Sequence, residues 1–245
     1  MLYIGCSQWN YSFWKSNLFP TTRSQHVLNY YSQKFGCVEM NSTYHDSVED
    51  SVMTNWQKNV TPLFRFCPKF PKTISHENKL LNVEKLTDDF IDSVSLLKDN
   101  LGISFLQLPL NMPPGNINLI DNFLAHINHR IQVSFEIRPD WLSRPDVLNE
   151  CLTILKKHKA GVVIVDGAET VHYMNSLKLT NPTAFIRFLS YDHPTDRPRI
   201  DDWVNMIKVW QDKGVKDIYF ILHFTDKPNV PEIIEYALEK FESSK

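Results

Sequence analysis

Eight short runs rich in β-branched and aromatic residues recur along the chain, and longer amphipathic stretches separate them. By number they span residues 2–6, 37–41, 64–69, 103–108, 132–137, 161–166, 184–189 and 217–224. Strands that alternate with helices build parallel sheets, because each helix carries the chain back to the start of the next strand. A length of 245 residues matches an eight-unit barrel. The pattern therefore predicts a single α/β domain over residues 1–245, a (β/α)8 TIM-like barrel.

The stretches between these runs have the spacing of helices that bury one face. Two show it most clearly: residues 83–98, with Leu86, Phe90, Val94 and Leu97, and residues 201–213, with Trp203, Ile207 and Trp210. An open doubly wound sheet uses the same units, but a glycine-rich turn usually follows its first strand. Residues 5–9 contain one glycine, and no phosphate-binding P-loop is present. The sequence therefore favours the closed barrel, and we expect no cofactor.

The balance of charge argues against a dedicated nucleic-acid or membrane-surface protein. The chain has 26 basic and 28 acidic residues and a formal net charge of -2, so it lacks the strong positive field of those classes, although a local basic patch is still allowed. No apolar run approaches membrane-spanning length, and the first residues lack the features of a secretion signal. We expect a cytoplasmic protein that does not bind membranes.

The four cysteines are far apart in the sequence. Cys6, Cys37 and Cys67 recur at intervals of about 30 residues, which would suit a thiolate zinc site but also follows from one strand per repeating unit. Cys151 stands alone. A chain of this size needs no disulfide scaffold, so we interpret all four as reduced, mostly buried thiols.

Polar side chains recur late in strands whose middles are apolar. In the second run Glu39 and Asn41 alternate with Val38 and Met40, which gives the strand one polar and one apolar face. In a barrel one face points into the lumen, and active sites lie where the strands end. We therefore expect a polar, charged pocket at the carboxyl-terminal rim. Other strands would add Lys69, Gln107, Glu136, Arg138, Asp166, Arg187 and His223.

Two glutamates and a lysine are the candidate catalytic residues. Glu39 and Glu136 would divide acid and base roles if their surroundings separate their pKa values. Lys69 would hold an anion or, if desolvated, form a Schiff base, and an ion pair with Glu39 is the structural alternative. For Arg187 the structural alternative is an ion pair with Asp166 or Glu136.

The remaining candidates would bind a ligand. Arg138 and Arg187 suit bidentate contacts with phosphate or carboxylate. The set also includes Asn41, Gln107, Asp166 and His223.

Aromatic residues follow the first two strands. Trp9, Tyr11, Trp14 and Tyr44 would stack on a sugar or a base, or else pack in the core beneath the loops. His76 lies in the loop after the third strand and would touch a ligand or cap a helix.

A divalent metal ion is an alternative ligand for some of these residues. Glu39, Glu136, Asp166 and His223 form a carboxylate and imidazole set that suits several metals. The chain has no HxH or HExxH spacing, and we predict no metal site.

Six ordered segments carry a resemblance to a known family. They are residues 7–14 (SQWNYSFW), 38–44 (VEMNSTY), 64–76 (FRFCPKFPKTISH), 107–109 (QLP), 135–141 (FEIRPDW) and 185–188 (FIRF). As a set they resemble the motifs of the DUF72 family, also called the YecE-like family, over nearly the whole chain. The resemblance implies a TIM-barrel-like fold and no established activity.

The chain departs from the family pattern at a few positions. Gln8 replaces the usual glycine, Leu189 and Ser190 replace a histidine and a glycine, and His223 stands where asparagine is usual. The polar residues that match the family are Glu39, Lys69, Gln107, Glu136, Arg138 and Arg187.

Two functions fit these residues. The first is an acid–base enzyme, a hydrolase or isomerase, that acts on a small polar or phosphorylated substrate. The alternative is a non-catalytic module that binds a nucleotide or single-stranded nucleic acid through aromatic loops and basic side chains. The neutral overall charge disfavours nucleic acid, and the sequence leaves the oligomeric state open.

Overall fold

The computed structural model describes residues 1–11, 24–137, 141, 143–167, 178–224 and 230–243. Strands and helices alternate along these ranges, and short turns of π-helix (Thr73–Glu77) and 3-10 helix (Lys98–Asn100, Pro114–Asn116) interrupt them. In chain order the elements are β1 (Leu2–Cys6), α1 (Ser24–Lys34), β2 (Cys37–Met40), α2 (Ser42–His45), α3 (Asp50–Lys58), β3 (Arg65–Pro68), α4 (Glu84–Ser95), β4 (Ser104–Gln107), α5 (Ile117–Ile127), β5 (Val133–Glu136), α6 (Pro145–Lys157), β6 (Gly161–Asp166), β7 (Thr183–Ser190), α7 (Asp196–Asp212), β8 (Asp217–Phe224) and α8 (Val230–Glu242).

The strands form one parallel sheet in the order β3-β2-β1-β8-β7-β6-β5-β4. The two end strands, β3 and β4, meet through isolated bridges that pair Phe66 with Leu101 and Lys69 with Phe105. The Gly102 amide also donates to the Phe66 carbonyl oxygen at 2.7 Å. The predicted eight-stranded α/β barrel is confirmed. Its closing seam between β3 and β4 consists of isolated bridges, whereas the other neighbouring strands pair as ladders.

Aromatic side chains fill the lumen below the rim. Phe105 stacks on Phe185 with ring centroids 5.3 Å apart, and Phe185 on Tyr219 at 6.1 Å. Tyr3 stacks on the other face of this group, 4.8 Å from Tyr219. Side chains packed this closely leave no pore, so polar chemistry is confined to the strand ends above them.

A larger apolar core lies between the sheet and the helices. Among its members, Phe135, Phe188 and Phe220 on the strands and Phe241 on α8 are fully buried. Each such side chain contributes roughly 1.5–3 kcal/mol to the free energy of unfolding.

Gly5 is required where β1 approaches β2. A Cβ at this position would lie 1.9 Å from the Cys37 carbonyl oxygen, and no side-chain movement relieves a clash with backbone. The glycine therefore allows the pairing that sets Gly5 opposite Cys37.

The helix predicted over residues 83–98 corresponds to the shorter α4. Phe90, Val94 and Leu97 are buried as expected, but Leu86 is 40% exposed. Leu86 lies in the first turn of α4, at the start of the helix.

The helix predicted over residues 201–213 begins earlier, at Asp196. Pro198 lies in its first turn, where the missing amide hydrogen costs little. Trp203 and Ile207 are buried as predicted, and Trp210 is half-buried. Gly214 follows the helix with a φ of 86°, the left-handed conformation expected after a helix end.

The four cysteines are free and buried, as predicted. Among the described residues, no helix combines the length and the apolar composition that crossing a bilayer requires.

Candidate functional site

Six polar side chains from six different strand ends meet at the carboxyl-terminal rim. We call this group the rim site; its members are Glu39, Lys69, Gln107, Glu136, Arg187 and His223. All six were predicted: Glu39, Lys69 and Glu136 from the alternation of polar and apolar residues along their strands, and the other three from their position late in a strand. The lumen-facing phase of each strand brings them together above the aromatic side chains that fill the barrel.

Arg187 on β7 lies at the centre of the rim site. Its Nε donates to Glu39 Oε2 at 3.0 Å and its Nη2 to Glu39 Oε1 at 3.1 Å, a bidentate pair. Its Nη1 donates to Glu136 Oε2, and its guanidinium carbon lies 5.4 Å from the centre of the Phe105 ring. The pairing with Glu136 is one of the alternatives raised from the sequence, whereas the pairing with Glu39 was not expected.

Glu39 is fully buried and surrounded by donors. Besides Arg187, it accepts from Asn41 Nδ2 at 2.9 Å and contacts His223 Nε2 at 2.9 Å. Burial alone would raise the pKa of this carboxyl, but the charges of Arg187 and His223 and their hydrogen bonds outweigh it and hold the pKa well below its usual range. Glu39 is therefore ionised at neutral pH.

The electrostatic balance also fixes the state of Arg187 and His223. Burial would lower the pKa of Arg187, but Glu39 and Glu136 raise it above its usual range. For His223, burial lowers the pKa; the attraction of Glu39 opposes this effect and the Arg187 charge adds to it, and the pKa stays below its usual value. Since a carboxylate only accepts, a neutral His223 donates its Nε2 proton to Glu39.

Lys69 and Glu136 are connected through one amide. Lys69 Nζ donates to Gln107 Oε1 at 3.2 Å, and Gln107 Nε2 donates to Glu136 Oε1 at 2.6 Å. The ammonium also lies 4.1 Å from the centre of the Tyr44 ring. The Lys69–Glu39 ion pair considered from the sequence does not form; Lys69 binds the amide instead.

His76 lies beside the rim site rather than within it. Its Nδ1 is 2.8 Å from the Ser75 hydroxyl, and its ring meets the Tyr44 ring edge-on at 5.5 Å. Tyr44 thus connects His76 to Lys69. The sequence suggested His76 but not Ser75, although a hydroxyl next to a loop histidine is a signal that would have included it.

Asp166 does not join the rim site, and its predicted place there is wrong. On β6 it shares the phase of Val162 and Ile164, which pack in the outer core, while Val163 faces the lumen. Side chains alternate along a strand, so Asp166 points outward, towards α7.

On that outer face Asp166 belongs to a second buried group, the Arg199 network. Arg199 donates to Asp166 Oδ1 at 2.9 Å and to Asp196 Oδ1 at 2.7 Å. Trp203 Nε1 donates to Asp166 Oδ2 at 2.7 Å, and the Ser190 hydroxyl donates to Asp196 Oδ2 at 2.6 Å. This network was not predicted from the sequence; the paired charges Asp196 and Arg199, one helical turn apart, were its signal.

The aromatic candidates after β1 pack in the core. Trp9 meets Trp56 edge-on at 5.0 Å, and Tyr11 is buried with its hydroxyl 2.6 Å from that of Ser7. Of the sequence candidates, Arg138 and Trp14 lie outside the described residues.

The carboxylate and imidazole set considered for a metal is not assembled, because Asp166 lies on the outer face of the sheet. No group of three or more potential ligands that would hold a metal ion occurs in the part of the chain that the structure describes.

Comparison with known proteins shows the family of this chain. The model of a family described as "Protein of unknown function DUF72" matches residues 3–245. The UPF0759 protein YecE of Escherichia coli K12 is 29% identical over 263 residues, covering 98% of this chain and 92% of that protein.

Solved structures agree on the fold. The crystal structure of a DUF72 family protein from Enterococcus faecalis V583 aligns with a TM-score of 0.77 at 16% identity, over 100% of this chain and 95% of that one. A DUF72 family protein from Thermotoga maritima MSB8 aligns with a TM-score of 0.73 at 19% identity, over 99% and 98%.

Proposed function

Because this chain belongs to the DUF72 family, whose function is unknown, we propose its function from the rim site itself: an acid–base enzyme that acts on a small polar or phosphorylated substrate. The observation that carries this proposal is the connection from Lys69 through Gln107 to Glu136, at 3.2 and 2.6 Å. The Gln107 amide thereby holds two groups near each other: the Lys69 ammonium, which binds an anionic group, and the Glu136 carboxylate, which accepts a proton.

The two glutamates have different roles in this proposal. Glu39 is 0% exposed and its oxygens accept from Arg187, His223 and Asn41, so it has no room to meet a substrate. It is a positioning residue that fixes Arg187. Glu136 keeps an exposed fraction of 6% at its side chain and is the proposed proton acceptor.

Lys69 is the proposed partner of the substrate's anionic group. Arg187 is already bound by two carboxylates, whose charges exceed its own. The ammonium of Lys69 adds positive charge at the seam between β3 and β4, beside the half-buried Tyr44 ring. A phosphate or carboxylate bound there would leave a neighbouring C–H or O–H group near Glu136, where a positioned base contributes about 10²–10⁴-fold to a rate.

The test is proton exchange in D2O. A panel of sugar phosphates and small hydroxy and keto acids is incubated with the protein and followed by proton NMR, which reports both exchange of carbon-bound hydrogen and any hydrolysis product. We expect one class of substrate to exchange or turn over. Glu136→Gln should reduce that rate at least about 100-fold, measured well below the thermal midpoint of the variant.

Glu150→Gln is the matched control, since Glu150 is an exposed glutamate on α6. It should behave as the wild-type protein does. A wild-type protein that neither exchanges nor converts any compound in the panel would contradict acid–base catalysis on this substrate class. A Glu136→Gln variant with full activity would remove Glu136 from the mechanism.

One observation favours the non-catalytic alternative, a binding module for a nucleotide or single-stranded nucleic acid. The Tyr44 ring lies against both Lys69 and His76, and a cation beside an aromatic face suits a phosphate next to a base. Oligonucleotide binding that weakens with salt and is lost in Lys69→Ala would support this function.

A further inference from the structure

A cavity lies at the opposite end of the barrel from the rim site. It has a volume of about 760 Å³ and is bounded by the ends of α5 and α6 and the starts of β5 and β7. We call it the basal groove. Its volume falls within the range of small-molecule sites.

The ionisable side chains at the mouth of the basal groove are all basic or imidazole groups. They are His129, Lys156, His158 and Lys159, and the described residues that line the groove include no aspartate or glutamate. Asp121 contacts His158 Nε2 at 2.5 Å but also binds Lys157 at 2.8 Å, so its charge is already compensated outside the groove. Within the described part of the chain, no acidic side chain forms an ion pair with Lys156 or Lys159, so these residues give the groove a net positive charge.

The floor of the basal groove is apolar. Leu124, Ile127, Ile131 and Val133 line it, and each is less than 9% exposed in the folded protein. The hydrocarbon or aromatic body of a ligand would pack against these side chains. Burial of the ligand's apolar surface stabilises such a complex by about 25 cal/mol per Å².

Hydrogen bonds hold the wall formed by the segment before β7. Thr180 Oγ1 donates to the Ala160 carbonyl oxygen at 2.6 Å, and Asn181 Nδ2 donates to the Lys159 carbonyl oxygen at 2.9 Å. These bonds tie this segment to the chain that follows α6. The groove is thus preformed rather than a gap between loops with no mutual contacts.

From the basic mouth and the apolar floor, we propose that the basal groove binds an organic anion in which one carboxylate or phosphate group is joined to an apolar body. The anionic group lies between Lys156 and Lys159, and the body lies on the floor between α5 and β5. This site is separate from the rim site and does not depend on the proposed function.

The test is isothermal titration calorimetry of the whole chain with octanoate and with octyl phosphate, and 1-octanol as the neutral comparison. We expect saturable one-to-one binding of at least one anion and none of the alcohol at the same concentration. The stronger of the two anions identifies the preferred headgroup. The double variant Lys156→Ala/Lys159→Ala should weaken binding by about tenfold or more.

Three further variants locate the site. Lys208→Ala is the matched control, because Lys208 is an exposed lysine on α7 that does not line the groove. It should leave the affinity unchanged, as should Lys69→Ala at the rim site. Gln132→Trp fills the groove without a change of charge and should abolish binding.

Several results would overturn the proposal. They are equal binding of octanol and the anions, no binding of either anion, and loss of binding in Lys69→Ala with retention in the lysine double variant. Wild-type affinity in Gln132→Trp, with the fold confirmed by circular dichroism, would place the ligand elsewhere.

Discussion

Two buried arginines on opposite faces of the sheet organise the same kind of ion group with different surroundings. Arg187 in the lumen and Arg199 beneath α7 are each 9% exposed, and each binds two carboxylates. In the Arg199 network, neutral donors also bind both carboxylates: Trp203 binds Asp166, and Ser190 binds Asp196. The Arg187 group also has a neutral donor on each carboxylate, Asn41 on Glu39 and Gln107 on Glu136. Unlike the Arg199 network, it adjoins a lysine, Lys69, through the Gln107 amide and includes an imidazole, His223.

The two ion groups differ in where they lie. The Arg199 network ties the ends of β6 and β7 to α7 on the outer face of the sheet, and within the described residues its Arg199 Nε has no hydrogen-bond partner. The Arg187 group lies at the strand ends, where active sites of barrels are found, and contains a titratable imidazole. The rim site therefore differs from the Arg199 network in its place at the strand ends and in its imidazole, and not in the burial of charge.

The largest expected effect is the loss of either arginine. Arg187→Met leaves Glu39 and Glu136 without their common cation, and Arg199→Met does the same to Asp166 and Asp196. Each variant should lower the free energy of unfolding by about 3–5 kcal/mol, because an uncompensated buried charge remains. Urea unfolding monitored by tryptophan fluorescence measures both.

An assay of activity or ligand binding distinguishes the two arginine variants. Arg199→Met should retain the activity or binding found for the wild-type protein, measured below its unfolding transition, whereas Arg187→Met should lose it. If both variants lose it equally, the two ion groups are not functionally distinct. A stability change below about 1 kcal/mol in either variant would show that its ion group is replaceable.

A smaller effect is expected from neutral donors to the two groups. Trp203→Phe removes the hydrogen bond to the buried Asp166 Oδ2 and should cost about 1.5–3 kcal/mol, as expected for a bond to a charged group. Asn41→Ala removes the bond to Glu39, but Asn41 is half-buried, and water at the rim would replace it. We expect a cost below about 1 kcal/mol, measured by the same urea unfolding.

A larger cost for Trp203→Phe than for Asn41→Ala would show that water reaches the Arg199 network less readily than it reaches the rim. Trp203→Leu serves as a second variant that shows how much of the effect comes from lost ring packing. If Asn41→Ala costs as much as Trp203→Phe, then the rim is as closed to water as the outer face.

The sequence allowed the fold and most of the rim site to be predicted for one physical reason. The period of a strand is two residues, so Glu39, Lys69 and Glu136 were assigned to the lumen from their apolar neighbours alone. The same reasoning placed Asp166 in phase with Ile164, but β6 is apolar on both faces, so its pattern did not show which phase is the lumen.

Pairing between side chains was harder to predict than their position. Arg187 had several carboxylates within reach of a barrel rim, and only the three-dimensional register selects Glu39 and Glu136. The Arg199 network involves a helix that begins five residues before the predicted one. The two charged residues that this helix contributes, Asp196 and Arg199, therefore lay outside the predicted helix.

The smallest expected effect is a pH dependence that belongs to the Arg187 group alone. Burial lowers the pKa of His223 in the folded protein, so below about pH 6.5, the usual value for histidine, the unfolded chain binds a proton that the folded chain does not. Stability should therefore fall as pH decreases from about 6.5 towards the folded pKa. Since one proton is involved, the slope cannot exceed about 1.4 kcal/mol per pH unit.

The measurement is urea unfolding at pH values from 5 to 8 for the wild-type protein and His223→Asn, and the variant should have the shallower slope in this window. Ser190→Ala, which removes a donor from the Arg199 network, should keep the wild-type slope, because no histidine side chain contacts either carboxylate of that network in the described residues. An unchanged slope in His223→Asn would mean that the Glu39 charge compensates the burial of the imidazole fully, and the two arginine groups would then respond alike to pH.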